Sequence, residues 1–231
     1  MATTSRKTKT SSSSAAAKKT ESSRLDCTAW LDAAEAAIAE GGFSNVRVLP
    51  LSQKLGVTRG SFYWHFENHA DFMAQIIERW KAREMEELNQ WNGDVSNPME
   101  TLENIVNFVL KRASVQPRRT KIEFALRDYS GGSKMAAKAV AAVDHARMGI
   151  GYTLLKEIIG SEEETESYAL LFYAQIVGAQ LMTTYVSPSL MTTTSAKLKQ
   201  GILASLAGLQ AKHGGKNAGK NKRTAKARSG K

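Results

Sequence analysis

Between Lys54 and His69 the chain gathers hydrogen-bond donors of several kinds at close spacing: Lys54, then Thr58-Arg59-Gly60-Ser61, then Tyr63-Trp64-His65, then His69. Such groups suit an oxygen-rich partner. A guanidinium donates two bonds to a guanine edge or grips a phosphate, and hydroxyls bond to either. Gly60 has no side chain, so the backbone there can approach a partner closely. The stretch offers little for covalent chemistry. His65 and His69 lie four apart, but Phe66-Glu67-Asn68 breaks the single helix face that a metal pair would need. Cys27, the only cysteine, sits in an apolar stripe and reads as structural. There is no phosphate loop, dinucleotide fingerprint or nucleophile elbow. Glu162-Glu163-Glu164-Glu166 reads as a solvated acidic helix start favoured by the macrodipole. No catalytic residue, metal or cofactor is expected, and the chain does not read as an enzyme.

Local signals say how this cluster is held. Residues 25–40 place Leu25, Ala29, Trp30, Ala33, Ala34, Ala37 and Ile38 on one stripe at helical spacing, and Gly41-Gly42 can end that helix. Phe43 points back to the core. Pro50 suits the first turn of a second helix running through Leu55, and Gly56 supplies a turn. Thr58 is a sound N-cap for a third helix reaching about Tyr63 to His65, so its hydroxyl and the nearby N–H groups would face phosphate at a positive helix end. Leu51, Leu55, Val57, Phe62 and Phe66 have the spacing to lock these two short helices against the first. Asn68, with Asp71 three residues on, caps a fourth helix carrying Phe72, Ile76, Ile77, Trp80 and Leu88. This is the layout of a helix-turn-helix.

Beyond Trp91-Asn92-Gly93-Asp94 only helical periodicity continues. Asn97-Pro98 starts one helix, Pro117 another that stops near Gly131-Gly132, and a long pattern runs from Met135 to Ile159. Ser161 opens a helix to about Val186, and Leu190 to Leu209 gives a last one. No strand and no internal repeat is apparent, so the fold class is all-α with about nine helices.

The formal net charge is +10, and the sequence pI is about 9.7. Residues 1–24 contribute +5 and residues 212–231 contribute +8, which leaves −3 for residues 25–211. Both tails are poor in large apolar groups and read as disordered basic arms able to add salt-sensitive attraction to phosphates. A plain solubilising role fits them equally well. The expected divisions are therefore a tail over 1–24, a helix-turn-helix domain over 25–72, a helical domain over 73–211 and a tail over 212–231. One cysteine permits no internal disulfide, no apolar run approaches the ~20 residues of a membrane span, and residues 1–24 lack the apolar segment of a secretory signal. A cytoplasmic location is expected, with no membrane partner.

With LxxLGVTRGSFYWHF in view, residues 25–90 resemble the N-terminal domain of TetR-family (tetracycline-repressor-like) transcriptional regulators. The resemblance rests on an apolar first helix, a glycine-phenylalanine loop, the Leu-Gly-Val turn and the aromatic-Tyr-x-His-Phe helix. It implies a homodimer whose recognition helices contact double-stranded DNA at a palindromic operator, with Lys54, Thr58, Arg59, Gly60, Ser61, Tyr63, Trp64, His65 and His69 as the contacts. Tyr63 and His65 match positions that usually meet the DNA backbone, and His69 stands where the family often has a lysine. The head is acidic, since Arg47, Lys54, Arg59 and Arg79 face seven acids over residues 25–79.

For the C-terminal helices the resemblance implies a cavity for an unknown small-molecule effector and a dimer interface. Phe108, Phe124, Tyr129, Met148, Tyr152, Phe172 and Tyr173 could line the cavity. Two stripes could pair with a partner: Tyr168, Leu171, Gln175, Gly178, Ala179 and Met182, then Ile202, Leu203, Leu206 and Leu209. The expected function is a ligand-released repressor. The alternative is a nucleoid-type DNA-coating protein acting through its basic tails. An enzyme with a vestigial helix-turn-helix has no catalytic constellation behind it.

Overall fold

The computed structural model describes residues 26–91, 95–182, 196–197, 199–209 and 211–213. The expected tails, the loop at 92–94 and the segment around Pro188 therefore lie almost wholly outside the described residues, although helix reaches His213, two residues into the expected C-terminal tail. Among the described residues all regular structure is helical. The elements are α1 (Cys27–Gly41), a 3-10 turn (Phe43–Asn45), α2 (Val48–Leu55), α3 (Arg59–Phe62), α4 (His69–Asn89), α5 (Pro98–Val115), α6 (Pro117–Ser130), α7 (Lys134–Ile159) and α8 (Glu162–Met182). Helical residues 199–209 are called α9 below. No described helix is long and apolar enough to cross a membrane.

The chain divides into two compact units at Ile76–Ile77, inside α4. In the first, the apolar stripe of α1 buries Trp30, Ala33, Ala34, Ala37 and Ile38. Trp30 meets Phe62 edge-on, with ring centroids 5.4 Å apart, and Phe72 at 6.5 Å. Phe62 and Phe72 meet at 5.2 Å and 88°, and Phe66 closes on Phe72 at 4.5 Å. Such pairs contribute about 0.5–1.5 kcal/mol each beyond the area they bury. The first helix ends at Gly42, whose φ of 77° suits only glycine, with its N–H donating to the Ile38 carbonyl.

The second unit is built on α5, α7, α8 and α9. Leu102, Val106, Leu154, Leu155, Ile158, Ile159, Phe172, Ile176, Ile202, Leu206 and Leu209 form its continuous apolar cluster. Several helices here stop and start on clear signals. Ser133 accepts from the Ala136 N–H at the start of α7, and Gly160 at φ 79° ends it. Asn97 likewise caps α5, and Pro98 and Pro117 occupy first turns where a missing N–H costs nothing.

Candidate nucleic-acid interface and buried cavity

The link between α2 and α3 is set by two backbone bonds. Gly56 takes φ 69° and ψ 28°; its N–H donates to the Gln53 carbonyl, and that of Val57 donates to Ser52. This crossed pair is a Schellman end, and it needs a residue at ease in the left-handed region. The chain then turns through Thr58, which is extended and makes no side-chain cap bond. Its hydroxyl is therefore not spent on the helix it precedes.

The helix α3 is shorter than the periodicity suggests. Its α-helical part covers Arg59–Phe62, and the winding continues as tight turns in which the Tyr63, Trp64 and His65 N–H groups donate three residues back. One helical turn sums few peptide dipoles, so the expected positive helix end at Thr58 is slight and side chains must supply the attraction. Two rings anchor the segment: Phe62 and Phe66 are fully buried in the aromatic core. Around them Arg59 and Gly60 are exposed, Ser61 and His65 half-buried. Tyr63 is 58% exposed and Trp64 89%. The Phe62 ring supports Tyr63 edge-on at 5.2 Å, which orients the phenol without burying it.

Flanking groups are partly committed. Lys54 Nζ lies 3.5 Å from Glu40 Oε1 on the surface, a pair of little strength that a phosphate can displace. His69 Nε2 lies 2.8 Å from the Val46 carbonyl oxygen, so the ring pins the start of α4 to the residue after the 3-10 turn and keeps one nitrogen for other partners. Asn68 caps α4 by accepting from the Asp71 N–H at 3.0 Å. The return arm of the expected capping box goes elsewhere, because Asp71 accepts from the Glu67 N–H.

The second unit holds a narrow cavity, part of it open to solvent. Of the aromatic and Met residues expected to line it, Phe108, Met148, Phe172 and Tyr173 do so, joined by Trp91, Ile105 and Ile176. Phe124, Tyr129 and Tyr152 do not. The first two lie on α6, which contributes nothing to the lining, and Tyr152 packs against the apolar cluster from the neighbouring position to Gly151. The expected dimer stripes are also divided. Ile202, Leu206 and Leu209 are consumed by the chain's own core, whereas Leu171 and Met182 on α8 are 55% and 45% exposed.

One end of the cavity is ionic, which periodicity does not reveal. Glu84 and Glu87 from α4, Arg112 from α5 and Arg147 from α7 line it. They belong to a larger network. Glu84 accepts from Arg112 Nη1 at 2.8 Å, Arg147 Nη2 at 2.6 Å and Arg119 Nη2 at 2.7 Å. Glu123 faces Arg147 at 2.6 Å and Arg127 at 2.9 Å. Arg127 continues to Asp144 at 2.7 Å, and the Tyr173 hydroxyl donates to the same carboxylate. Glu87 pairs with both Arg112 and Arg119. Burial by itself would raise the Glu123 pKa, but Arg147 and Arg127 override it and hold the carboxyl at about 2. The Glu84 carboxyl is lowered against the same burial penalty by Arg112 and Arg147. Burial raises the Tyr173 phenol, which stays protonated as a donor. The available signal was a charged residue on an apolar stripe: Glu84 falls four residues from both Trp80 and Leu88, and Arg112 three from Val109.

Residues 31–76 match the family described as bacterial regulatory proteins, tetR family. The HTH-type transcriptional regulator AcrR of Shigella flexneri is 30% identical over 93 residues, covering 38% of this chain and 42% of that protein. The chain's match thus spans less than half the length of this curated relative. A transcriptional regulator from Rhodococcus sp. Rha1 superimposes with a TM-score of 0.65 at 20% identity, over 80% of this chain and 97% of that one. The regulator FadR from Bacillus subtilis, solved in complex with stearoyl-CoA, does so with a TM-score of 0.57 at 18% identity, over 78% and 97%. Residues 31–76 of this chain are thus similar to the N-terminal segment of the tetR family of bacterial regulatory proteins, and the chain as a whole shares the all-helical fold of these solved structures.

Proposed function

We propose that the chain is a homodimeric transcriptional repressor that binds a roughly palindromic operator in cytoplasmic double-stranded DNA and is released by a small-molecule effector held in the second unit. The observation that carries this reading is the contrast within α3 and its following turn. Phe62 and Phe66 are sunk in the core while Trp64 and Tyr63 stand in solvent between them. An indole 89% exposed beside a phenol 58% exposed leaves two rings available to a partner. Arg59 and Ser61 would contact bases or phosphate, Thr58, Tyr63 and His65 would contact phosphate, and Gly60 would let the backbone close in. Trp64 would stack on sugar, and Lys54 and His69 would flank.

Dimerisation is supported by the exposed α8 stripe of Leu171, Gln175 and Met182, spaced along one helix face. Two-fold symmetry would set the two reading helices about one DNA turn, ~34–36 Å, apart. An effector favouring a spacing that mismatches successive grooves must weaken DNA binding, and DNA must weaken effector binding equally. The cavity and the stearoyl-CoA complex of the FadR neighbour support an effector with substantial apolar surface.

The test is selection of bound sequences from a random duplex pool by the purified protein. An inverted repeat with half-sites about one turn apart is expected, with Arg59→Ala and Tyr63→Ala binding it at least about tenfold more weakly as intact dimers, the loss of roughly one good contact. A pool that stays random after selection overturns the reading in favour of DNA coating through the basic tails.

A further inference from the structure

Resting on the reading of the cavity as an effector site, we infer that its effector is uncharged: a largely apolar molecule bearing a hydrogen-bond acceptor such as a ketone or ester carbonyl, and neither a carboxylate nor an amine. The ionic end of the cavity looks suited to a charged head group, but its charges are spent. The network contains four arginines (Arg112, Arg119, Arg127 and Arg147) and four carboxylates (Glu84, Glu87, Glu123 and Asp144). Each arginine faces at least two of those carboxylates.

An anionic ligand would have to take an arginine from a buried carboxylate, and a cationic one would have to take a carboxylate from a buried arginine. Either exchange strands a charge away from water, the costliest arrangement open to a protein interior. A neutral ligand disturbs neither. Among the network arginines with a buried, unpartnered Nε (Arg112, Arg119 and Arg127), Arg112 is the one that lines the cavity, with its side chain only 9% exposed and its Nη1 serving Glu84 and Glu87. A single acceptor would answer its Nε. Most of the remaining wall, including Trp91, Phe108, Met148, Phe172 and Ile176, is apolar, and of its polar groups the Tyr173 hydroxyl is already committed to Asp144 and Gln180 is buried.

Matched probes separate the possibilities. Calorimetric titration of the full chain with 2-undecanone, undecanoate and undecylamine, and with 4-phenyl-2-butanone, 4-phenylbutyrate and 4-phenylbutylamine, holds the apolar part constant while the head changes. The ketone of at least one trio is expected to bind at least about tenfold more tightly than its charged analogues. A carboxylate or amine binding as tightly as its ketone overturns the inference while leaving the cavity an effector site. A cavity-filling variant locates the binding. A Cβ at Gly151 would lie 3.6 Å from Phe172 Cδ1, so Gly151→Leu reaches into the space, and Met148→Trp does so from the next turn. Ketone binding should disappear in whichever variant keeps wild-type helicity. Binding that persists in it, or no binding of any probe to the wild type, overturns the reading of the cavity itself.

Discussion

The first unit closes its core with rings and the second with ions. Around Trp30, Phe62, Phe66 and Phe72 the contacts are apolar, edge-on or tilted, and sit directly beneath the surface they support. In the second unit Glu84 and Glu123, both nearly fully buried, depend on arginines drawn from α5, α6 and α7. Ring packing degrades gradually as atoms are removed, since each contact is small. An ion network fails in large steps, because a lost partner leaves a charge that neither water nor protein answers. The difference separates a first unit that tolerates change from a second that rests in one defined arrangement.

The sharpest way to break this comparison is Arg147→Met, which removes a partner from Glu84 and Glu123 together. A loss of about 3–5 kcal/mol in the second unit is expected, read by urea unfolding with 5-fluorotryptophan resonances. Trp80 and Trp91 should report early unfolding, while Trp30 in the first unit should not follow. If the two sets unfold together with wild-type stability, the network is not what holds the second unit.

Acid should separate the units in the same way. The folded Glu123 carboxyl titrates at about 2 against an ordinary 4.5, and that of Glu84 is lowered too. Carboxyls depressed by folding contribute stability above pH 4.5 that is lost as pH falls toward about 2, on the order of a few kcal/mol for Glu123. The Trp80 and Trp91 signals should therefore lose stability across that window. A flat profile from pH 5 to 2 would contradict the pairing.

A smaller effect belongs to the first unit. Gly56→Ala forces a Cβ into the left-handed region and should cost about 1–2 kcal/mol, lowering the Trp30 transition and leaving the second unit's unchanged. The smallest comes from Trp64→Ala, which should move stability by less than about 0.5 kcal/mol while weakening operator binding in a filter or fluorescence assay. A large loss of stability would mean that the indole packs within the fold.

The contrast also explains what was legible in the sequence. The turn at Gly56, the cap at Asn68 and the Pro98 and Pro117 helix starts all use partners within five positions, so short-range spacing carries them. The length of α3 was overestimated because three-residue and four-residue winding place the same side chains outward over one turn. The ion network joins residues as far apart as Glu84 and Arg147, and nothing local announces which charges meet. Aromatic identity was equally silent about which side of a helix faces the cavity, which is why Phe108 and Phe172 line it and Phe124 and Tyr152 do not.

The way α3 is fastened bears on how such a head changes over time. Phe62 and Phe66 are buried in the interior, and the side chains at 59, 63 and 64 are exposed. Those outward positions form a short alphabet that can be respelled without reopening the core. Under the proposed function, a new operator preference lies within reach of one or two substitutions, and a duplicated copy of this protein would drift to different genes while keeping the same scaffold beneath it.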